Sequence, residues 1–202
     1  MRKSIISFVM ILMASISIVN AQFTKGNILI SAGISFGDYW YFGNTVWVAN
    51  TYNYLFIPPV VAKLEIGVHE YLGIGAFGGI QYRKYKNKIN SSYYHNYSYI
   101  SGGVMGSFHF TQLLSENLDL GNLEELDMYI STTVRLEFTQ YQSSYYYDTA
   151  TNTYITHTDN YIKPRFGAGL GLRYYFAKNL AIFAELGSCN LGYFTLGGTL
   201  KL

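Results

Sequence analysis

Charged side chains recur in one phase of an alternating pattern, and they are the residues best placed to do chemistry. Lys63, Glu65, Arg83, Arg135, Glu137, Lys163, Arg165, Arg173, Glu185 and Lys201 share a phase with Gly, Ser and Thr. The other phase of the same segments is apolar, with a period of two. If these segments close on themselves, the charges point into a narrow lumen. Unpaired charge there is costly, so pairing is expected. Glu65 and Glu185 are expected to meet Arg135 and Arg165 in a central network that plugs the interior. The sharper alternative chemistry is a proton or ion path along the same groups.

Other motifs offer less. His69, His95, His109 and His157 are scattered, with no H-x-x-x-H or Cys/His spacing, so no metal site and no cofactor are expected. Ser98, Ser101, Ser143 and Ser144 with His95 lie at segment ends, where a lipid-cleaving nucleophile could sit. Their spacing brings no two of them together with an acid, so no catalytic residues and no enzyme are expected. Gly73-Ile74-Gly75-Ala76-Phe77-Gly78 satisfies G-x-G-x-x-G. Dinucleotide binding needs a helix to start inside that motif, whereas here the alternation runs on into Arg83. The better reading of Gly73, Gly75 and Gly79, and of Gly167, Gly169 and Gly171, is room for bulk from elsewhere in a narrow lumen. Cys189 is the single cysteine and cannot form an internal disulfide.

The elements that would position these groups are eight alternating segments, near residues 28–36, 60–68, 72–83, 100–110, 128–138, 162–176, 180–187 and 193–202. Each can reach the ~9–11 residues of a tilted membrane-crossing strand. Aromatics stand at the ends of the apolar phase. Phe36, Tyr82, Phe138 and Phe194 mark one level, and Phe108, Phe110, Tyr174 and Phe176 the other. Two such girdles belong to membrane interfaces. The fold expected is all-β, an eight-stranded antiparallel up-and-down transmembrane β-barrel.

Connections alternate between short turns, His69-Glu70 and Ala177-Lys178-Asn179, and long polar, Tyr-rich stretches. The exception is 111–126, where leucines among acids read as a short amphipathic helix. The acids of that stretch, Glu116, Asp119, Glu124, Glu125 and Asp127, are expected to be solvated. Tyr39, Trp40, Tyr41, Trp47, Tyr145, Tyr146, Tyr147 and Tyr154 in the long connections form the expected surface-contact set, because Tyr with Ser and Asn gives adaptable contact area. A turn at Asp148–Asn152 implies that strands five and six continue as a hairpin beyond the membrane. Arg83, Lys84, Lys86 and Lys88 form the one basic cluster, expected to contact lipopolysaccharide phosphates.

Arg2 and Lys3, the apolar run Ile5–Val19 and the small residues around Ala21 read as a secretory signal at 1–21, leaving 22–202 as the barrel domain. Taking Arg2 and Lys3 from the 14 basic residues leaves 12, against 12 acidic. That balance argues against a nucleic-acid partner.

The last residues carry a resemblance. Thr195, Gly197, Leu200 and Leu202 are similar to the C-terminal insertion signal of bacterial outer-membrane barrels, with Leu in place of the usual final aromatic. Over 23–202 the chain resembles the small OmpA/OmpX-like eight-stranded barrels, especially the porin-family barrels of Bacteroidetes. The resemblance implies the outer membrane of a Gram-negative cell, both termini periplasmic, and insertion by the outer-membrane assembly machinery. It implies surroundings of outer-membrane lipid and lipopolysaccharide, and a structural or surface-interaction role. A narrow solute channel and a lipid-modifying enzyme are the alternatives. The extracellular ligand is not named by the sequence.

Overall fold

The computed structural model describes residues 23–37, 52–87, 94–118, 125–148, 150–151 and 153–202. The expected signal at 1–21 lies outside them, as do Tyr39, Trp40, Tyr41, Trp47 and Lys88, and the side chains of Tyr145, Tyr146, Tyr147 and Tyr154.

Eight strands follow in chain order: β1 (Ile28–Phe36), β2 (Tyr52–Gly67), β3 (Leu72–Asn87), β4 (Tyr94–His109), β5 (Leu126–Asp148), β6 (Thr153–Ala177), β7 (Leu180–Gly187) and β8 (Phe194–Lys201). Each pairs antiparallel with the next, and β8 returns to β1 from Leu29↔Lys201 to Phe36↔Phe194, which closes the barrel. Closure pairs each strand with a neighbour on both sides over the shared part of the ladder, as a sheet that crosses a bilayer requires.

Alternation decides the faces. In β1 the even residues Ile28, Ile30 and Ile34 are exposed, while Leu29, Ser31 and Ser35 are buried. The same phase puts Leu64, Ile74, Val104, Val134, Phe166 and Ile182 outside; Val134 is 50 % exposed and Phe166 76 %. A continuous apolar belt of this extent would be a liability in water and is the matching surface for lipid. The architecture is therefore that of a transmembrane β-barrel, turned inside out relative to a soluble one. Phe36 faces Phe194 across the β1–β8 seam with ring centroids 6.3 Å apart, and Phe108 lies 6.5 Å from Phe110 at the other end.

Strand lengths are unequal. β1, β7 and β8 have 9, 8 and 8 residues, whereas β5 and β6 have 23 and 25. One side of the barrel therefore rises as a wall of β2 to β6, and the hairpin expected beyond the membrane is its tallest part. The sequence marks the start of the wall poorly. Above Ile80, Ile100, Phe138 and Ile162 both faces turn polar, so the period of two disappears although the ladder continues. The prolines fit this frame. Pro58 and Pro59 fall where the β2–β3 register shifts between Ile57 and Val60. β6 meets β7 only from Gly169 onward. Ala168 exchanges bonds with Ser188 on the β7 side, so Pro164, in the same phase, turns its missing N–H toward an unpaired edge.

At the opposite, short-turn end, α1 (Thr111–Leu118) occupies the stretch expected to be helical. Thr111 Oγ1 accepts from the Met128 amide and fastens the helix start to β5. β5 begins at Leu126, so Asp127 is already inside the barrel and 1 % exposed. That corrects the expectation of a solvated Asp127: it shares the inward phase of Tyr129 and Ser131.

Candidate functional site: a filled lumen beneath a tall wall

The lumen holds two linked polar clusters. The first lies near the short-turn end. Arg173 donates from Nη2 to Glu65 Oε2 at 2.6 Å and from Nη1 to Asp127 Oδ2 at 3.0 Å, and its guanidinium lies 4.1 Å from the Tyr129 ring centroid. His109 bridges the other oxygens, Nδ1 to Asp127 Oδ1 at 2.7 Å and Nε2 to Glu65 Oε1 at 2.8 Å. Ser107 also donates to Glu65 Oε1. Phe23, just before β1, stacks flat on His109 with ring centroids 3.6 Å apart and closes this end. All of these groups are buried.

Asp127, His109 and Ser107 have the spacing of an acid–base–nucleophile relay, with Nε2 3.1 Å from Ser107 Oγ. The surroundings use them differently. Both ring nitrogens face carboxylate oxygens, so the imidazole serves as a two-way donor and Nε2 keeps no lone pair for the Ser107 proton. Glu65 holds the hydroxyl, and Phe23 fills the space a substrate would need. The arrangement is an ionic clamp.

The second cluster is central. Lys63 pairs with Glu185 Oε2, Tyr129 donates its hydroxyl to Glu185 Oε1 at 2.8 Å, and Asn190 Nδ2 donates to Oε2. Asn190 comes from the β7–β8 connection, residues 188–193, which folds down into the barrel. Gly187 (φ 133°) starts that turn, and a Cβ there would strike the Ala168 carbonyl. Arg135 Nη1 donates to the carbonyls of Ser188 and Cys189 at 3.2 and 3.1 Å, and Thr133 donates to Cys189 O at 3.0 Å. Leu191 packs on Val61 and Phe77. A Cβ at Gly79 would strike Leu191, one at Gly169 the Cys189 sulfur, and one at Gly171 the Tyr129 ring. The inward glycines make room for the plug and for Tyr129, as their phase implied.

The charge pairing differs from the expected one. Glu65 meets Arg173 and His109, and Glu185 meets Lys63; neither meets Arg135 or Arg165. The β5–β6 register sets Arg135 directly opposite Arg165, so the two repel toward different partners. Arg135 goes to the plug carbonyls, and Arg165 reaches Glu137 at 3.4 Å nearer the tall rim. Lys163 lies over the Tyr161 ring at 4.7 Å, and half-buried Lys201 over Tyr175 at 4.9 Å. Arg83 is buried (4 %) and stands over Tyr99 at 5.7 Å on the inner face. It is therefore separated from Lys84 and Lys86, which share the outward phase of Ile80 and Tyr82. The spacing of the sequence missed Phe23, Asp127 and Asn190 as lumen groups; for Asp127 the phase of β5 was the available signal. At the chain's end, Thr195 is buried against Ser35 at 2.8 Å, while Leu200 and Leu202 face outward.

Above the plug, the inner face of the wall is tyrosine-rich. Tyr97 is surrounded by Tyr141, Tyr85 and Tyr99 at 4.8, 6.1 and 6.4 Å. Burial, with the neighbouring phenols, pushes the Tyr97 hydroxyl up to about 12. His95 stacks on Tyr141 and meets its hydroxyl at 2.9 Å, and burial lowers its pKa. The register does set His95 opposite Ser143, and Ser143 opposite His157, whose Nε2 lies 3.0 Å from Asp159. This brings together groups that sequence spacing keeps apart, but His95 is turned to Tyr141. Among the described residues no group of three His, Cys, Asp or Glu side chains is arranged to hold a metal ion.

The closed ladder and the outward apolar belt define the class: an eight-stranded transmembrane β-barrel. Solved structures similar to the chain are of that class. The N-terminal β-barrel domain of Pseudomonas aeruginosa OprF is 12 % identical over 88 % of this chain and 98 % of its own, with a TM-score of 0.42. Ail, the attachment invasion locus protein of Yersinia pestis, solved with the heparin analogue sucrose octasulfate, is 11 % identical over 88 % and 96 %, at 0.45. A de novo designed transmembrane β-barrel is 18 % identical over 90 % and 99 %, at 0.40. No family model matches the sequence, and no curated protein matches it.

Proposed function

We propose that this protein is an outer-membrane surface barrel of a Gram-negative cell, carrying no solute and acting through its tall wall. The observation that carries this reading is the filling of the lumen from both ends. The 188–193 connection and Leu191 occupy the upper half, Lys63–Glu185 the centre, and Glu65–Arg173–Asp127–His109 under Phe23 the lower. An interior just wide enough for side chains is full at eight strands. The elaborated surface is then the wall, where Tyr85, Tyr97, Tyr99, Tyr141 and Tyr161 give amphipathic contact area to an extracellular ligand. In this reading the short-turn end and both termini are periplasmic, residues 1–21 direct export, and Thr195, Gly197, Leu200 and Leu202 are read by the assembly machinery. The surroundings are outer-membrane lipid and lipopolysaccharide.

The test pairs conductance with binding. Planar-bilayer recording of the wild type should stay at lipid background, and cells expressing a variant lacking 141–161 should lose surface binding while keeping the barrel in the membrane. Steady conductance in the wild type would replace this reading with a channel.

A further inference from the structure

The outward face of the wall changes character within one residue row. Up to Ile80, Ile100, Phe138 and Ile162 it is apolar and lipid-facing. The next outward rows are Ser98↔Gln140↔Asn160 and Asn96↔Gln142↔Thr158, with Tyr94 and Thr156 above them. Lys84 and Lys86 flank these on β3, opposite Asn96 and Tyr94. Among the described side chains of β3 to β6 this face carries amides, hydroxyls, the Tyr82 phenol and two ammonium groups and not one acid, while the inner face of the same strands carries Glu137 and Asp159. Among the described residues neither Lys84 nor Lys86 has a carboxylate within 4.0 Å; Lys84 Nζ sits 5.4 Å from the Tyr94 ring centroid. Asn96 donates to Gln142 across β4 and β5 at 3.2 Å, so the amides form an ordered shelf.

We propose that this shelf seats the headgroup of a phosphorylated glycolipid of the outer leaflet. The inference rests on the outer-membrane reading above and adds the partner and its place. The occupant is fixed by continuity. Whatever lies on the shelf lies directly over the lipid belt of the same strands, so it must be an amphiphile with acyl chains below and a polar head above. An acid-free face with two lysines is complementary to phosphate, a charge-assisted contact. The amide and hydroxyl rows match the paired donors and acceptors of sugar hydroxyls. β1, β7 and β8 end at the level of the belt, so the seat is on one side of the barrel only.

The experiment uses the full chain in phosphatidylcholine nanodiscs doped with diphosphorylated lipid A, its dephosphorylated form, or phosphatidylglycerol, with retained lipid counted by native mass spectrometry. Wild type should retain diphosphorylated lipid A. Lys84→Ala/Lys86→Ala should weaken retention about tenfold, in line with the loss of two solvent-exposed ion pairs. Gln140→Ala/Asn160→Ala should weaken it several-fold while leaving phosphatidylglycerol unchanged. Lys25→Ala/Lys178→Ala, at the short-turn end, should match wild type. Equal retention in the Lys84/Lys86 and Lys25/Lys178 variants, or equal retention of phosphatidylglycerol and lipid A, overturns the proposal. Each variant is first checked for heat-dependent gel mobility. Wild type with that mobility shift but no lipid A sinks this inference alone, whereas wild type without the shift sinks the membrane-barrel reading as well.

Discussion

Replacing Arg173 by Met removes the cation that holds two buried carboxylates. Arg173 is 1 % exposed, and its bonds to Glu65 at 2.6 Å and Asp127 at 3.0 Å are cross-strand clamps linking β6 to β2 and β5. Met keeps an unbranched apolar stem of the same kind but stops short of the guanidinium, so the loss is chiefly of charge and hydrogen bonds, with a small loss of packing volume added. Breaking a buried ion pair by deleting one partner costs about 3–5 kcal/mol, because the remaining charge is stranded. His109 still bridges both acids, which places the expected cost near the lower bound, roughly 3 kcal/mol, or about a hundredfold in the folding constant. Glu65→Gln should cost less, since Arg173 keeps Asp127. The double variant should be less destabilised than the sum, by about 0.5–3 kcal/mol of coupling. Urea titration of folding into short-chain lipid vesicles, read by gel mobility without boiling, measures all three. Arg173→Met within about 0.5 kcal/mol of wild type, or strict additivity, would refute the clamp.

Other parts of the structure give further expectations. Gly171→Ala drives a methyl into the Tyr129 ring and should cost about 1–3 kcal/mol, with Gly78→Ala, which meets open space, as the near-neutral comparison in the same titration. Leu191→Ala empties the contact of the plug with Val61 and Phe77 and should cost about 2–5 kcal/mol; faster amide exchange of residues 188–193 than in wild type would accompany it. The pKa of His95 is lowered from its ordinary 6.5 by burial, so the folded wall binds fewer protons than the unfolded one. Its contribution is full above pH 6.5 and is lost as pH falls below that value. Protease cleavage within 141–161 should therefore rise below about pH 6.5, and His95→Gln should flatten the profile.

The strand phases were legible because one face meets lipid and the other a packed lumen, so Ile130, Val134 and Leu136 alternate cleanly with Ser131, Thr133 and Arg135. The extents were not, because both faces of 155–163 are exposed and no period survives there. Lumen membership was legible for Lys63, Glu65 and Glu185, but not who meets whom. Pairing depends on register and tilt, and register is what puts Arg135 opposite Arg165 and Arg173 opposite Asp127. The plug was hidden for a different reason. Residues 188–193 look like an ordinary six-residue turn, and only the short β7 and β8, with glycines opposite at 79, 167 and 169, show that it folds inward.

In this barrel the apolar phase faces lipid and the polar phase a closed, filled lumen. Spin labels placed singly at Thr132, Thr133, Val134 and Leu136 in a Cys189→Ser background, in lipid vesicles, test it directly. Labels at 132, 134 and 136 should relax with dissolved oxygen and not with a water-soluble nickel complex, and the label at 133 with neither. Access of the nickel complex to the even positions would contradict it and make the apolar belt the buried face of a soluble sheet.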